Sequence, residues 1–238
     1  MSAPLESDPI LVSYHDSIVR VSNLKTLENS NWLDDNIITF AFEYLQYDSK
    51  FTRNYSNIFV FVTPPVVQLI KMSDNLFAEE LLQSIDFLEK KFLILPINDN
   101  RQVTAFAGSH WSLLILSIQD KILYHFDSMS SANDRTAKDI QDKFRVFFHE
   151  QVQLINTRCP QQKNGFDCGL YVIVIVEEFC RFLYENYFSK KSIEENYDKE
   201  VFEMFMNEIH QRITSKSITQ RRQQLKELLE SMILDKKI

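Results

Sequence analysis

Apolar residues recur along this chain with two periods, one helical and one extended. Over residues 32–45, Leu33, Ile37, Ile38, Phe40, Ala41, Phe42, Tyr44 and Leu45 return at three and four, the spacing of an amphipathic helix. Asn29-Ser30-Asn31 read as its start, because short polar side chains cap orphan N–H groups, and Asp34 and Asp35 suit the positive end of the dipole in its first turn. Residues 58–62 and 92–97 are short apolar runs bounded by Pro64-Pro65 and Asn98-Asp99-Asn100, the pattern of buried strands. Residues 66–72 and 78–88 predict short helices, 132–150 a helix with polar and apolar faces, and 152–156 a further strand. Residues 10–28 show no clean period, and LVSYHDSIV either opens a helix or runs extended.

Two segments carry more. The runs 110–118 and 122–127 are joined at Gln119-Asp120-Lys121, a connection short enough for a hairpin. A hairpin returns the end of its second strand to the start of its first. His110 opens the first run and Asp127 closes the second, so the two belong at one sheet edge although 17 positions apart (127 − 110). After a loop over 159–167, the segment from Cys168 is rich in Val and Ile, which favour strands. Length decides for helix: Val172, Ile173, Val176, Phe179, Cys180, Leu183 and Tyr187 recur at three and four over about 20 residues. Its first turns are apolar all round and belong in a core. Residues 189–238 are charged and helical in pattern, with Leu225, Leu228, Leu229 and Met232 on one face. No repeat or linker divides the 238 residues, so a single domain over 1–238 is expected.

Composition narrows the class. Hydrophobic residues are 45% and charged residues 25%, an ordinary folded protein. The net charge of −7 (26 − 33) speaks against a nucleic-acid binder, which would have to neutralise phosphates. Three cysteines are too few and odd in number for a secreted disulfide framework, which points to a reducing compartment, cytoplasm or nucleus. The start, MSAPLESDPI, has neither the basic stretch nor the apolar core of a signal peptide. The longest apolar run, 170–176, is far below the roughly 20 residues of a membrane span, so no membrane partner is expected.

The chain has three glycines, Gly108, Gly165 and Gly169, one just ahead of His110 and two flanking Cys168. Glycine serves where backbone turns tightly or approaches another group closely. A sulfur at the start of a helix sits at its positive end, which favours thiolate over thiol and makes Cys168 a candidate nucleophile. The competing reading, a small buried hydrophobe, suits Cys159 and Cys180. His110 is the candidate base and Asp127 the acid that fixes its tautomer. Alternatively the two are a hairpin-end histidine and a capping aspartate. His15, His125, His149 and His210 lack a paired acid at a strand end and read as ordinary. Gln162, six residues before Cys168, can offer an amide to a developing oxyanion. Cys159 and Cys168 are nine apart, with no C-x-x-C or H-x-x-x-H, so no metal is expected. No glycine-rich phosphate loop is present, and no cofactor is expected.

The stretches WLDDNIITFAFEYL (32–45), GSHWSLLIL (108–116), YHFDSM (124–129) and PQQKNGFDCGLYV (160–172) together resemble the ubiquitin-like protease family, the SUMO- and neddylation-specific cysteine proteases. LVSYHDSIVR, INDN and HWSLL resemble its deneddylase branch. The resemblance implies an α+β, papain-like fold with a central mixed sheet flanked by helices. The order His, Asp, Cys is permuted relative to papain. By motif, Cys168 is nucleophile, His110 base, Asp127 orienter and Gln162 oxyanion donor. Trp32 and Trp111 resemble the aromatic pair that forms a channel over a Gly-Gly tail, and Asp35 the acid that holds the tail's backbone. For Trp32 alone, a buried residue at a helix start is the competing reading. Asp34 and Gly165 depart from the family's usual Asn and Ser. The implied reaction is cleavage after the C-terminal Gly-Gly of the neddylation modifier, maturing its precursor and freeing targets such as cullins, by a monomer. A SUMO protease, an acetyltransferase with a similar Cys/His site, and a silent modifier-binding module are the rivals.

Overall fold

The computed structural model describes residues 8–102, 108–188 and 199–235. The stretch without a clean period is extended: β1 (Ile10–Tyr14) and β2 (Ser17–Arg20) form an antiparallel hairpin. Its turn places His15 at φ 45° and is tied down by the buried Glu43 carboxylate, which accepts the N–H groups of Asp16 and Ser17. A short helix, α1 (Val21–Lys25), follows. The next helix, α2 (Asp35–Tyr47), starts later than the apolar period suggests. Asp34 is its N-cap and accepts from Ile37 N–H at 3.0 Å, while Asn29 to Asn31 lie in turns ahead of it. Both stretches offer capping side chains, and the helix begins at the second, where Asp34 makes the cap bond, while Trp32 ahead of it bonds the Gly165 carbonyl.

The remaining elements are β3 (Phe59–Phe61), α3 (Pro64–Met72), α4 (Asn75–Ser84), β4 (Phe92–Asn98), β5 (Trp111–Ser117), β6 (Ile122–Phe126), α5 (Asp134–Phe148), β7 (Gln153–Asn156), α6 (Cys168–Leu183), α7 (Lys199–Arg212) and α8 (Ser215–Asp235). A π-type turn, Tyr184–Phe188, extends α6. Helix α3 takes in both prolines, tolerated in a first turn where the N–H groups have no partner. Helix α4 is capped by Asp74 and stops at Ser84, short of the expected 88, because Asp86 turns the chain at φ 52°. The helical pattern at 189–198 and the first seven residues lie outside the described residues.

Five strands form one sheet in the order β3-β4-β5-β6-β7. The inner pairs are antiparallel and the outer pairs, β3/β4 and β6/β7, are parallel. Both faces are covered. Phe92, Ile94, Leu113, Ile115 and Phe126 pack under α2, α6 and α7, and Tyr124 stacks on Phe202 at 3.7 Å. Leu93, Leu95, Leu114, Leu116 and Leu123 pack under α3, α4 and α5. Two-sided burial is why β4 and β5 read as unbroken apolar runs rather than alternating ones. Helix α8 docks through Leu225 and Leu229, fully buried, each contributing roughly 1.5–3 kcal/mol. Leu228 and Met232 pack beside them.

Candidate active site

The predicted hairpin forms, with Leu113 opposite Phe126, and the two chain ends at its open end carry the candidate groups. His110 lies one residue before β5 and Asp127 one residue after β6. Imidazole Nε2 and Asp127 Oδ1 are 2.6 Å apart, with the residues only 4% and 7% exposed. The carboxylate also accepts the N–H of Met129 on Oδ1 and of Asn133 on Oδ2, both at 2.9 Å. Burial disfavours its charge, but the His110 bond and these N–H groups outweigh it and hold its pKa below the usual range. Burial alone would likewise lower the imidazolium. The Asp127 carboxylate and the Cys168 sulfur reverse that and bring His110 up to about 9. Ring Nδ1 is buried and has no hydrogen-bond partner among the described residues, while the nearby Cys168 sulfur is one of the groups that raise the ring's pKa.

Cys168 is the first residue of α6 and 2% exposed. The other two cysteines are different. Cys159 donates its S–H to the Asp127 carbonyl at 3.0 Å, and burial pushes its pKa to about 12. Cys180 is wholly buried in the core, which raises it well above an ordinary thiol. The loop leading into α6 is turned by Asn164, whose Oδ1 accepts the N–H groups of Phe166 and Asp167. Gln162 is fastened to the end of β6: its backbone N–H and its Oε1 engage Ser128, each at 2.8 Å, and one amide proton goes to the Asn164 carbonyl. The second amide proton is the one available to a ligand.

Trp32 is 53% exposed, so it is not a core residue; its Nε1–H donates to the Gly165 carbonyl at 2.7 Å. Trp111 is half-buried and donates to the Leu33 carbonyl at 3.1 Å. With Asp35, Pro64, Val67 and Asn98 these indoles line a cleft of about 480 Å³. Burial and the like charge of Asp34 raise the Asp35 carboxyl. None of the glycines takes a positive φ; Gly108 and Gly169 serve close approach, while a Cβ on Gly165 would meet open space. A Cβ on Gly169 would come within 2.9 Å of Leu33 Cβ, and one on Gly108 would strike the Asn98 side chain.

Several contributors escaped the reading of the sequence. Asp99 accepts from Ser109 N–H, Ser109 hydroxyl and His110 N–H, fixing the backbone that carries the imidazole. Asn133 donates to the His110 carbonyl and to Ser112 Oγ. Ser112 in turn meets His125 Nε2, and His125 Nδ1 meets Asn156 Oδ1. His125, read as ordinary, is thus the centre of a buried polar chain beneath the His110–Asp127 pair, and burial lowers its pKa. His125 stands two residues before Asp127, so strand alternation sets both on one face, and that spacing was the available signal. No group of three metal-ligating side chains occurs among the described residues, nor any helix long and apolar enough to cross a membrane.

Residues 31–216 match the Ulp1 protease family, C-terminal catalytic domain. Sentrin-specific protease 8 of Homo sapiens is 36% identical over 190 residues, 78% of this chain and 86% of that protein. Probable sentrin-specific protease 8 of Dictyostelium discoideum is 33% identical over 218 residues, 85% and 89% of the two. NEDD8-specific protease 1 of Arabidopsis thaliana is 29% identical over 178 residues, 73% and 76%. The fold is shared with the Ulp1 protease domain solved in complex with Smt3, the yeast ortholog of SUMO, at TM-score 0.64 and 21% identity over 97% of this chain and 91% of that one. A match over most of the chain, and relatives above 30% identity along nearly their whole length, place it: the chain belongs to the Ulp1 family of cysteine proteases.

Proposed function

We propose that this chain cleaves after the C-terminal Gly-Gly of the modifier NEDD8, both in its precursor and in isopeptide conjugates on targets such as cullins. Cys168 is the nucleophile, His110 the acid and base, Asp127 the group that orients it, and Gln162 an oxyanion donor. The observation that carries this reading is the His110 ring: one nitrogen bonded to a buried carboxylate, the other buried and unpartnered, with a sulfur at a helix start near enough to raise the ring's pKa.

The sulfur attacks the glycyl carbonyl carbon, and the carbonyl oxygen takes the negative charge. The Gln162 amide and the N–H groups at the start of α6 receive it, an arrangement in which one donor is worth roughly 10²–10³ in rate. Imidazolium Nδ1–H protonates the leaving amine as the C–N bond breaks, leaving a thioester. Water, giving its proton to His110, attacks that thioester and releases the modifier's carboxylate and the thiol. Trp32 and Trp111 confine the tail so that residues without side chains fit between them, and Asp35 accepts from its backbone. NEDD8 is favoured over SUMO because the relatives above 30% identity are sentrin-specific protease 8 and others carry NEDD8 in their names, whereas the Smt3-bound structure is alike at the level of fold.

The test is a panel of modifiers, NEDD8, SUMO and ubiquitin, each carrying a C-terminal fluorophore. NEDD8 is expected to turn over fastest, and Cys168→Ala to abolish turnover while retaining NEDD8 binding. Turnover persisting in Cys168→Ala overturns the assignment of the nucleophile. Faster release from SUMO overturns the choice of modifier. An electrophile placed on the NEDD8 C-terminus is expected to trap Cys168 covalently, which a silent binding module cannot do.

A further inference from the structure

Among the described residues, three helices have aspartate at the N-cap, and one of them does not behave like the others. Asp34 and Asp74 accept from the third helical N–H, of Ile37 and Phe77, at 3.0 and 2.9 Å with extended backbones. Aspartate is among the best capping residues for this reason. Asp167 holds the same position ahead of α6, yet its backbone lies at φ −92°, ψ 3°, and its side chain makes no cap bond. Its oxygens are engaged elsewhere. Oδ1 accepts from Arg222 Nη2 at 2.8 Å, and Oδ2 accepts from Asn164 Nδ2 at 2.7 Å.

Arg222 comes from α8, 55 residues further on, and is 4% exposed. Its other bonds reach the carbonyls of Thr26 at 3.0 Å, Glu28 at 3.2 Å and Phe166 at 3.4 Å. A guanidinium so buried is held in one geometry by its partners. Arg221, its neighbour, pairs instead with Glu177 in the middle of α6 and fastens the helix there. The family match ends at residue 216, so Arg222 lies beyond it.

We propose that Arg222 is a positioning residue that draws the Asp167 carboxylate away from the start of α6, so that the positive end of the helix faces the Cys168 sulfur and the oxyanion rather than its own cap. Released from Arg222, Asp167 keeps only the Asn164 bond, and a turn of its ψ from 3° to the extended value of the other two caps gives it a strong capping position. Its carboxylate then turns onto the Leu170 N–H and sets a negative charge where the thiolate and the oxyanion must form. The inference rests on the cleavage reading for its role in turnover, but its structural half does not.

The first measurement needs no modifier. Alkylation of Cys168 by iodoacetamide, followed by peptide mapping at pH 7, is expected to slow about tenfold in Arg222→Met, a size set by helix-dipole effects in partly buried sites. It is expected to recover to within threefold of the parent in Arg222→Met/Asp167→Ala, where no carboxylate remains to swing. Arg221→Ala is expected to lower stability and leave the alkylation rate within twofold. An unchanged rate in Arg222→Met, or a loss the double variant does not recover, overturns the proposal. Should Arg222→Met fail to fold, the double variant, which leaves no unpaired buried charge, decides alone: a rate more than threefold below the parent overturns it. Turnover of the NEDD8 conjugate is expected to follow the same order of variants. Failure of the parent to cleave any modifier counts against the cleavage reading and leaves the alkylation comparison standing.

Discussion

Replacing Asp127 with asparagine changes one atom of the site and leaves its shape. The carboxylate receives three bonds, from His110 Nε2 and Met129 N–H on one oxygen and from Asn133 N–H on the other. An amide has a single oxygen. Set on the His110 side, that oxygen keeps two bonds and turns its NH2 toward the Asn133 N–H, donor against donor. The opposite setting faces two donors instead of one, so the first is chosen. One buried N–H then loses its partner, at roughly 1–3 kcal/mol. The imidazole keeps its tautomer, because the amide oxygen still accepts from Nε2–H, but it loses the neighbouring charge. The rise of His110 from 6.5 to about 9, driven by Asp127 and Cys168 against burial, corresponds to roughly 3 kcal/mol favouring imidazolium. Losing the Asp127 share lowers kcat by about 10², well short of the ~10⁴ that follows when a triad histidine is also left in the wrong tautomer. The assay is turnover of a NEDD8 conjugate with a C-terminal fluorophore, beside urea unfolding at pH 7. A kcat within threefold of the parent, or a full 10⁴ loss, refutes this account of what Asp127 does.

Two further outcomes follow from the same geometry. The His110 pKa is raised on folding, so its contribution to stability is complete below pH 6.5 and disappears as pH rises through about 9. Buried Lys71, lowered to about 8, acts in the opposite sense above that pH. The stability difference between the parent and Asp127→Asn removes the Lys71 contribution, and it is expected to shrink between pH 6.5 and 9; a constant difference from urea titrations across that range would sink the assignment. Trp32 is largely exposed, and Trp32→Ala is expected to cost under about 1 kcal/mol of stability. The same variant is expected to lower kcat/KM at least tenfold and to leave iodoacetamide alkylation of Cys168 unaffected; unchanged kcat/KM means the indole does not confine the tail.

How much of this was legible in the sequence depends on how far apart the cooperating residues lie. The hairpin at Gln119-Asp120-Lys121 is a local signal, and it is enough to bring His110 and Asp127 to one edge. The helix from Cys168 announces itself by period and length, and it places the sulfur at its own positive end. The resemblance of four stretches supplied the two tryptophans, which no period singles out. Boundaries were less legible where two capping signals compete, as at Asn29 to Asn31 and Asp34, or where a non-glycine residue takes a left-handed turn, as Asp86 and His149 do.

Residues that act through a partner from another layer gave no signal. Asp99 is one acid in the INDN turn until the fold sets it against Ser109 and His110. His125 stands two residues before Asp127 on the same strand face, yet no local pattern says that Ser112, Asn133 and Asn156 join it into one buried polar chain there. Arg222 reaches carbonyls 196 and 194 positions away and a carboxylate 55 away. No window along the chain contains such a set. The two kinds of residue divide by physics. Groups that exchange protons or bonds with a substrate need particular side chains at turns and helix ends, and those leave local patterns. Groups that hold them need a donor at a matching distance in three dimensions, which many residue types on many elements can supply. The sulfur and imidazole were therefore readable, and the guanidinium that controls the charge beside them was not.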